Sequence, residues 1–430
     1  MSRVCIHGLG YIGLPTAAIL AVNGFEVFGY DVDAELRSEL RRGDSRFEEP
    51  GLHGLLMEAI DNGSLHIVDT PVTAEYQLIC VPTPLDREER RADLSYVIAA
   101  SDAIATRLRP GDTVILESTV PPGTTTDVVA PRLEAGGLTA AREFSLAHCP
   151  ETVLPGKILQ ELRENDRLVG GIDGTSTDAA VNLYRSFVAG DIRTVVDPTV
   201  AEFAKLAQNT YRDVNIALAN EFARLARDYE IDTRETIEMA NTHPRVEVHQ
   251  PGPGVGGHCL PVDPWFLGQS SDQLDLVATA RAVNDGMSRY IIDLLHTELG
   301  SLEDRRIAVL GVAYKGNVGD TRMSPGLKLI RELGEMEVTA TTAVSDGGMP
   351  GGIEVTAADP HVTDADIPLI EAKRALAGAD AAVITADHDE FRALDPHDVG
   401  RRMAGELVLD TKGILDQDVW QDSSLSFRRL

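Results

Sequence analysis

The sequence predicts an α/β protein: two doubly wound domains joined by a central long-helix region. Three observations carry this. Short apolar runs ending in turn residues alternate with helical periodicity from residue 1 to about residue 190. A proline-free helical stretch, VAEFAKLAQNTYRDVNIALANEFARLARDYEI, follows from about residue 198. Strand–loop–helix alternation restarts near residue 305. A chain of 430 residues is too long for one ordinary domain. The expected division is 1–197, 198–300 and 301–430.

The elements follow in order. RVCIHGLG is a strand entering a glycine turn, a helix runs from about Tyr11 to Asn23, and FEVFGYDVD is the next strand. QLICVP, DTVILEST and FSLAHCP are further apolar runs. Continuous apolar strands separated by helices mean a parallel sheet covered on both faces. REERRADLSYVIAASDAIATRL opens as a charged loop and becomes an amphipathic helix. The long helix from residue 198 carries a broad apolar stripe. PGPGVGGHCLPVDPWF at 251–266 is a loop, and a helical region runs from about Asp275 to Leu299. RRIAVLGVAYKGNVGDTRMSPGLKLIREL opens the last domain, with later strands in DAAVITADHDEF and GELVLDTKGIL. TTAVSDGGMPGGIEVTAADP reads as a glycine-rich surface loop leading into a strand.

Charge excludes some functions. The formal charge is −29, from 68 acidic against 39 basic residues. That disfavours nucleic acid as a partner. The acid is dispersed and lysine is scarce, which suits a protein kept soluble in concentrated salt, where screening quenches self-repulsion. No apolar run reaches the ~18 residues a membrane span needs, and no leader precedes the first strand, so a cytoplasmic location is expected. Cys5, Cys80, Cys149 and Cys259 are widely spaced. A disulfide framework and a structural metal are therefore not expected, and Cys5 and Cys80 read as core residues.

HGLGYIG places Gly8, Gly10 and Gly13 in GxGxxG spacing between a strand and a helix, with Tyr11 and Ile12 inside the turn. Asp31 ends the next strand. This is the dinucleotide fingerprint in its required context, so the first domain is Rossmann-like. An acid at Asp31 favours NAD over NADP, because a 2′-phosphate would meet like charge. CVPTPL and ESTVPPGTT follow later strands, where loops face the cofactor, making Thr83, Thr119 and Glu117 candidates. Glu151 stands at another strand end. Lys205 and Asn209 share one helix face at i and i+4, among apolar or small neighbours, where a lysine can hold developing negative charge. Cys259 stands in a loop rich in glycine and proline, a setting for a presented nucleophilic thiol. Each singled-out residue also has a bland reading as a turn, core or surface residue.

Together these blocks resemble the nucleotide-sugar 6-dehydrogenase family. The likeness runs from GLGYIGLPTA through VPTPL, DLSYV, ESTVPPGTT, CPE, AEFAKLAQNTYRDVNIALANE, HPRV and PGPGVGGHCLPVDPWF to GVAYKGNVGDTRMSP. QPGPGVGGHC with VDPWF is most similar to the N-acetylmannosamine branch; Thr152, where that branch carries arginine after CPE, is a departure that bears on the sugar. The resemblance implies a four-electron oxidation of a C6 alcohol on a UDP-sugar to a carboxylate, with two NAD reduced in turn. It implies that Cys259 forms a thiohemiacetal and then a thioester, that Lys205 and Asn209 stabilise oxyanions, and that Asp263, Glu151 and Thr119 serve water activation and proton transfer. It implies a second Rossmann-like domain that holds UDP with Lys315 and Arg322, a substrate-contacting Gly256, and a homodimer in which Arg245 is donated across subunits. UDP-glucose or UDP-N-acetylglucosamine is the alternative substrate. Two other classes share parts of the pattern: a two-electron 3-hydroxy acid dehydrogenase, and a non-catalytic NAD-binding sensor. NADH formed per substrate separates them as two, one or none.

Overall fold

The computed structural model describes residues 1–47, 49–343 and 352–430, and side chains outside 336–343. The chain forms two compact units, 1–208 with 265–273, and 209–264 with 274–430. Both are built on parallel sheets.

In the first unit the strands are β1 (Arg3–His7), β2 (Glu26–Tyr30), β3 (Leu65–Ile67), β4 (Tyr76–Ile79), β5 (Leu85–Asp86), β6 (Arg91–Ala92), β7 (Thr113–Leu116), β8 (Ser145–His148), β9 (Arg167–Gly171) and β10 (Ile192–Val195). The main sheet runs β10-β9-β8-β7-β4-β1-β2-β3. Val4, Ile6, Leu78, Ile79, Val114, Ile115 and Leu116 are fully buried in it, so apolar residues on both faces explain the continuous apolar runs. Strand order reverses between β1 and β4, the position where such sheets open a ligand crevice at their carboxyl ends. Pairing is not parallel throughout: β8 and β9 are antiparallel. The link after β8 stays at that strand's carboxyl end and β9 re-enters from there. The charged loop after CVPTPL holds an antiparallel hairpin of β5 and β6, turned at Arg90 with φ +54.

In the second unit β11 (Arg306–Leu310), β12 (Glu354–Ala358), β13 (Ala381–Ile384), β14 (Leu407–Asp410) and β15 (Ser426–Arg429) form a parallel sheet in the order β12-β11-β13-β14-β15. Its reversal lies between β11 and β13. Residues 344–351 of the glycine-rich loop lie outside the described residues; the helix Pro325–Ala343 takes the residues before them.

The long helix spans Pro198–Asp228. Proline at its first position costs no hydrogen bond there. It contributes 198–208 to the first unit and 209–228 to the second. The helical region expected from Asp275 to Leu299 is two helices, Asp275–Asp285 and Met287–Leu299, meeting at Gly286. Glycine is a poor interior helix residue, and the break falls on it. Among the described residues no helix is long and apolar enough to cross a membrane.

Candidate active site

The glycine turn after β1 is held by its own backbone. Gly8 has φ +94, and a Cβ there would lie 2.5 Å from the Cys80 carbonyl oxygen. A Cβ on Gly13 would lie 1.9 Å from the Gly8 oxygen. Both positions exclude any side chain. Gly10 differs, because a Cβ there meets nothing within 4 Å, which leaves its flank open to a ligand. Ile12 caps the helix Gly13–Val22, and Tyr11 stacks on Phe47 at 4.3 Å. Asp31 accepts from Leu9 N through Oδ2 at 2.8 Å and from Asp33 N through Oδ1 at 3.0 Å. Each oxygen keeps a lone pair for a ribose hydroxyl. An open glycine flank, a helix N-terminus and an anchored acid with spare acceptors fit the pyrophosphate and ribose of NAD.

Two strand-end loops beside this turn are laced together. Ser118 Oγ donates to Val81 O at 2.7 Å, and Thr83 Oγ1 donates to Thr119 O at 2.7 Å. Thr119 is half-buried beside them. Glu117, expected to face the cofactor, is instead 2% exposed. Tyr184 Oη donates to its Oε1 at 2.6 Å and Cys80 Sγ to its Oε2 at 3.1 Å. The donor from Tyr184 is remote in sequence, so the strand-end pattern alone could not place this carboxylate inside. Cys80 is accordingly half-buried and bonded, while Cys5 is a core residue.

The same unit pairs Lys205 with Glu151. Lys205 Nζ lies 3.6 Å from Glu151 Oε1, both side chains largely buried, and Glu151 Oε2 accepts from Val153 N at 2.8 Å. Glu202, one helical turn before Lys205, was not singled out in the sequence. It accepts from Gly123 N at 2.5 Å and from Thr125 N and Oγ1 at 2.8 and 2.6 Å. It thus ties the helix to the loop that carries Thr119. Burial pushes its pKa up to about 7 against those donors. Its sequence signal was its spacing, one turn before Lys205 and two turns before Asn209 on the same helix face. His148, fully buried at the end of β8, is held neutral by burial, with its pKa pushed down to about 3.

In the second unit, Asn209 Nδ2 donates to Asp263 Oδ2 at 2.6 Å, both groups buried. Cys259 is half-buried, with His258 Nε2 3.7 Å from its sulfur. Its carbonyl accepts from Val262 N at 2.9 Å and Asp263 N at 2.8 Å. Cysteine and aspartate therefore share one turn, leading into the helix Asp263–Leu267. The glycines of this loop press against the chain itself. A Cβ on Gly256 would lie 2.7 Å from Tyr314 Cβ and 2.8 Å from Met323 O. Gly257 has φ +87, and its N–H donates to Arg322 O at 2.9 Å. Arg322 forms an ion pair with Asp320, and half-buried Lys315 stands in the same segment. Arg245 is exposed and contacts His243 at 3.4 Å.

One group with metal-ligand chemistry appears among the described residues: His361, His388 and Glu390. His388 Nδ1 accepts from Asn317 N at 2.9 Å, and its Nε2 faces Asp359 Oδ2 at 2.9 Å. Both nitrogens are occupied within the protein, so this imidazole has no lone pair to give an ion.

Comparison with known proteins covers the whole chain. Residues 2–188, 199–286 and 308–417 match the NAD-binding, central and UDP-binding domains of the UDP-glucose/GDP-mannose dehydrogenase family. The chain is 41% identical to a UDP-N-acetyl-D-mannosamine dehydrogenase of Methanocaldococcus jannaschii, over 97% of this chain and 94% of that one. A solved UDP-D-ManNAc dehydrogenase from Pyrococcus horikoshii superposes with a TM-score of 0.89 at 38% identity, covering 99% of this chain and 98% of the other. A UDP-glucose dehydrogenase from Pyrobaculum islandicum superposes with a TM-score of 0.84 at 27% identity, covering 100% and 97%.

Proposed function

The chain belongs to the UDP-glucose/GDP-mannose dehydrogenase family, and we propose that it oxidises the C6 hydroxyl of UDP-N-acetylmannosamine to the carboxylate through a covalent intermediate on Cys259. It is an NAD-dependent oxidoreductase. NAD, when bound, accepts one hydride in each of two oxidations. The observation that carries the covalent step is the half-buried thiol at the head of the turn that also holds Asp263.

An aldehyde yields hydride readily only after a nucleophile has made its carbon tetrahedral. Cys259 adds through sulfur to the C6 aldehyde, forming a C–S bond and releasing its thiol proton. Loss of hydride from that carbon leaves a thioester. Water breaks the C–S bond, giving the carboxylate and restoring the thiol. Lys205 supplies a buried cation beside the developing oxyanion. Asn209 gives one amide hydrogen to Asp263 and keeps the other for the same oxygen. Glu151 and Asp263 are the carboxylates that take the water proton in this reading, and Thr119 helps to position that water. Gly8, Gly10, Tyr11, Ile12, Gly13, Asp31, Thr83 and Thr119 form the cofactor side, and Gly256, Lys315 and Arg322 the nucleotide-sugar side. The division 1–197, 198–300 and 301–430 belongs to the same reading.

Two NADH per sugar, together with arrested thioester turnover in Cys259→Ser, is the expected result. One NADH per sugar, or a full steady-state rate in Cys259→Ser, overturns the covalent reading. Thr152 departs from the N-acetylmannosamine pattern, UDP-glucose or UDP-N-acetylglucosamine is the alternative substrate, and a panel of UDP-sugars decides between them by kcat/KM.

We also infer a homodimer. Tyr211, Leu218 and Leu225 are exposed on the long helix at seven-residue spacing, which is one face of that helix. A second copy is the partner that such a self-complementary stripe fits, and Arg245 then acts in the neighbouring site. Mixing Arg245→Ala with Cys259→Ala restores part of the activity if it does. No recovery in demonstrably mixed dimers removes the shared site. The charge of −29 supports a cytoplasm rich in salt, and full stability without salt counts against that.

A further inference from the structure

We propose that Asn220 and Asn284 are positioning residues that set the approach of the cysteine loop, through a polarised chain of buried amides ending on an ion pair. The inference rests on the reading of Cys259 as nucleophile.

The chain begins at an obligate donor. Gly252 N, at the start of the loop, donates to Asn220 Oδ1 at 2.8 Å. That fixes the orientation of the Asn220 amide, whose Nδ2 donates to Asn284 Oδ1 at 2.9 Å. Asn284 Nδ2 is then directed at Asp213, donating to Oδ1 at 2.9 Å and to the backbone oxygen at 3.0 Å. Asp213 is an obligate acceptor, and Arg281 Nη1 donates to its Oδ1 at 2.6 Å. The sequence donor, amide, amide, carboxylate admits one sense only, so neither asparagine can flip without setting two donors or two acceptors face to face. None of these side chains is more than 2% exposed.

The network meets the loop twice. Besides the bond to Gly252, the backbone oxygen of Asn284 lies 3.1 Å from where a Cβ on Gly254 would stand, and Gly254 has φ +123. The loop backbone is thus held both by a hydrogen bond and by close contact, a few residues before Cys259. The asparagines are buried behind the loop and reach the reacting atoms only through it. Asp213 and Asn220 lie two helical turns apart on the long helix, and Arg281 and Asn284 one turn apart on Asp275–Asp285, so each helix presents both partners on one face. Misplacing a nucleophile slows the chemical step more than it weakens binding.

The test uses the full-length enzyme. Asn284→Asp sets a carboxylate against Asp213, and the double variant Asn284→Asp/Asp213→Asn returns one amide and one acid to that pair. The single variant should lower kcat by about 10-fold or more while KM for the UDP-sugar and for NAD stays within about 3-fold. It should also change the rate at which iodoacetamide alkylates Cys259, read by mass spectrometry. The double variant should recover most of both. Asn220→Asp, which is isosteric and keeps the acceptor for Gly252, covers the case in which Asn284→Asp does not fold; it should lower kcat in the same pattern. Unchanged kcat and unchanged alkylation in a folded Asn284→Asp or Asn220→Asp variant overturns the proposal and leaves the network a stability element. Cys259→Ser is run in parallel. If it keeps full activity, the nucleophile reading fails, yet altered alkylation in the asparagine variants still reports loop positioning.

Discussion

The two sheets solve the same backbone problem and differ in what they leave available. In the first unit, Gly8 follows β1 with positive φ and abuts the chain after β4, and Gly13 abuts the Gly8 carbonyl. In the second, Gly311 follows β11 with φ +109, a Cβ there would lie 2.5 Å from Ala386 N after β13, and a Cβ on Gly326 would lie 2.2 Å from the Gly311 oxygen. An aspartate ends the neighbouring strand in each, Asp31 after β2 and Asp359 after β12. Asp31 accepts one backbone N–H on each oxygen. Asp359 accepts from Val312 N, Ala313 N and His388 Nε2 on Oδ2, and from His361 N and Val362 N on Oδ1. The first carboxylate has capacity left for a ribose; the second is saturated and is a structural clamp. The glycines also stand farther apart in sequence in the second unit, and the added segment carries Tyr314, which lies against Gly256 and Gly257 of the cysteine loop, and Arg322, whose backbone oxygen accepts from Gly257 N. One fold, used twice, thus ends its second strand on an acid with acceptors to spare in one place and on a saturated clamp in the other.

The comparison can be broken most forcefully at the glycine pairs. Gly13→Ala and Gly326→Ala each force a methyl against backbone, and each should cost about 3 kcal/mol or more, read as a fall in denaturation midpoint. A mild effect at only one of them would end the structural equivalence.

Next in size is Asp359→Asn, which sets an amide hydrogen where only donors point. A loss of about 3 kcal/mol in stability is expected, with the NAD/NADP preference unchanged. A shift in cofactor preference would show that Asp359 is no mere clamp.

Acid sensitivity should sit in the first unit. Burial pushes His148 down to about 3 and His7 down to about 4, so both stay neutral in the folded protein. A depressed folded pKa means that the unfolded chain binds the proton first. The stability that depends on these two histidines is therefore complete above pH 6.5 and falls as pH drops below it. By proton linkage the loss at pH 5 is about 2 kcal/mol for each histidine. His148→Leu should remove its share of that pH dependence, measured by urea unfolding at pH 7 and pH 5. An unchanged slope would place the sensitivity elsewhere.

The smallest effect should be Asp31→Asn. One of the two backbone donors, Leu9 N or Asp33 N, then faces an amide hydrogen, and because Asp31 is only half-buried the loss in stability should be about 1 kcal/mol. The ratio of kcat/KM for NAD to that for NADP should fall by about 10-fold, since the like-charge barrier to a 2′-phosphate is gone. An unchanged ratio would leave Asp31 no closer to the ribose than Asp359.

Much of this was legible in the residues. GxGxxG between strand and helix, the acid at Asp31, the long helix and the loop around Cys259 are short-range patterns, because the chemistry that needs them acts over a few consecutive residues. The substrate family came from motif blocks strung along the chain. What escaped notice was the set of partners. Glu117 stands at a strand end, where a ligand contact is the natural expectation, yet its donors come from Tyr184 and Cys80. Glu202 looked like one more acid until Gly123 and Thr125 were brought to it. The glycines at 254, 256 and 257 spoke for close approach, but whether to a ligand or to Tyr314, Met323 and Asn284 is a matter of which distant segment lies against them.

The sequence alone therefore determined the local backbone conformations and the reactive groups, since φ preference, helical period and thiol chemistry are properties of residues and near neighbours. Only the tertiary structure decided which carboxylate is satisfied and which keeps a lone pair. That choice depends on donors contributed by residues far away in the chain, and a buried acid is defined electrostatically by those donors rather than by its own identity.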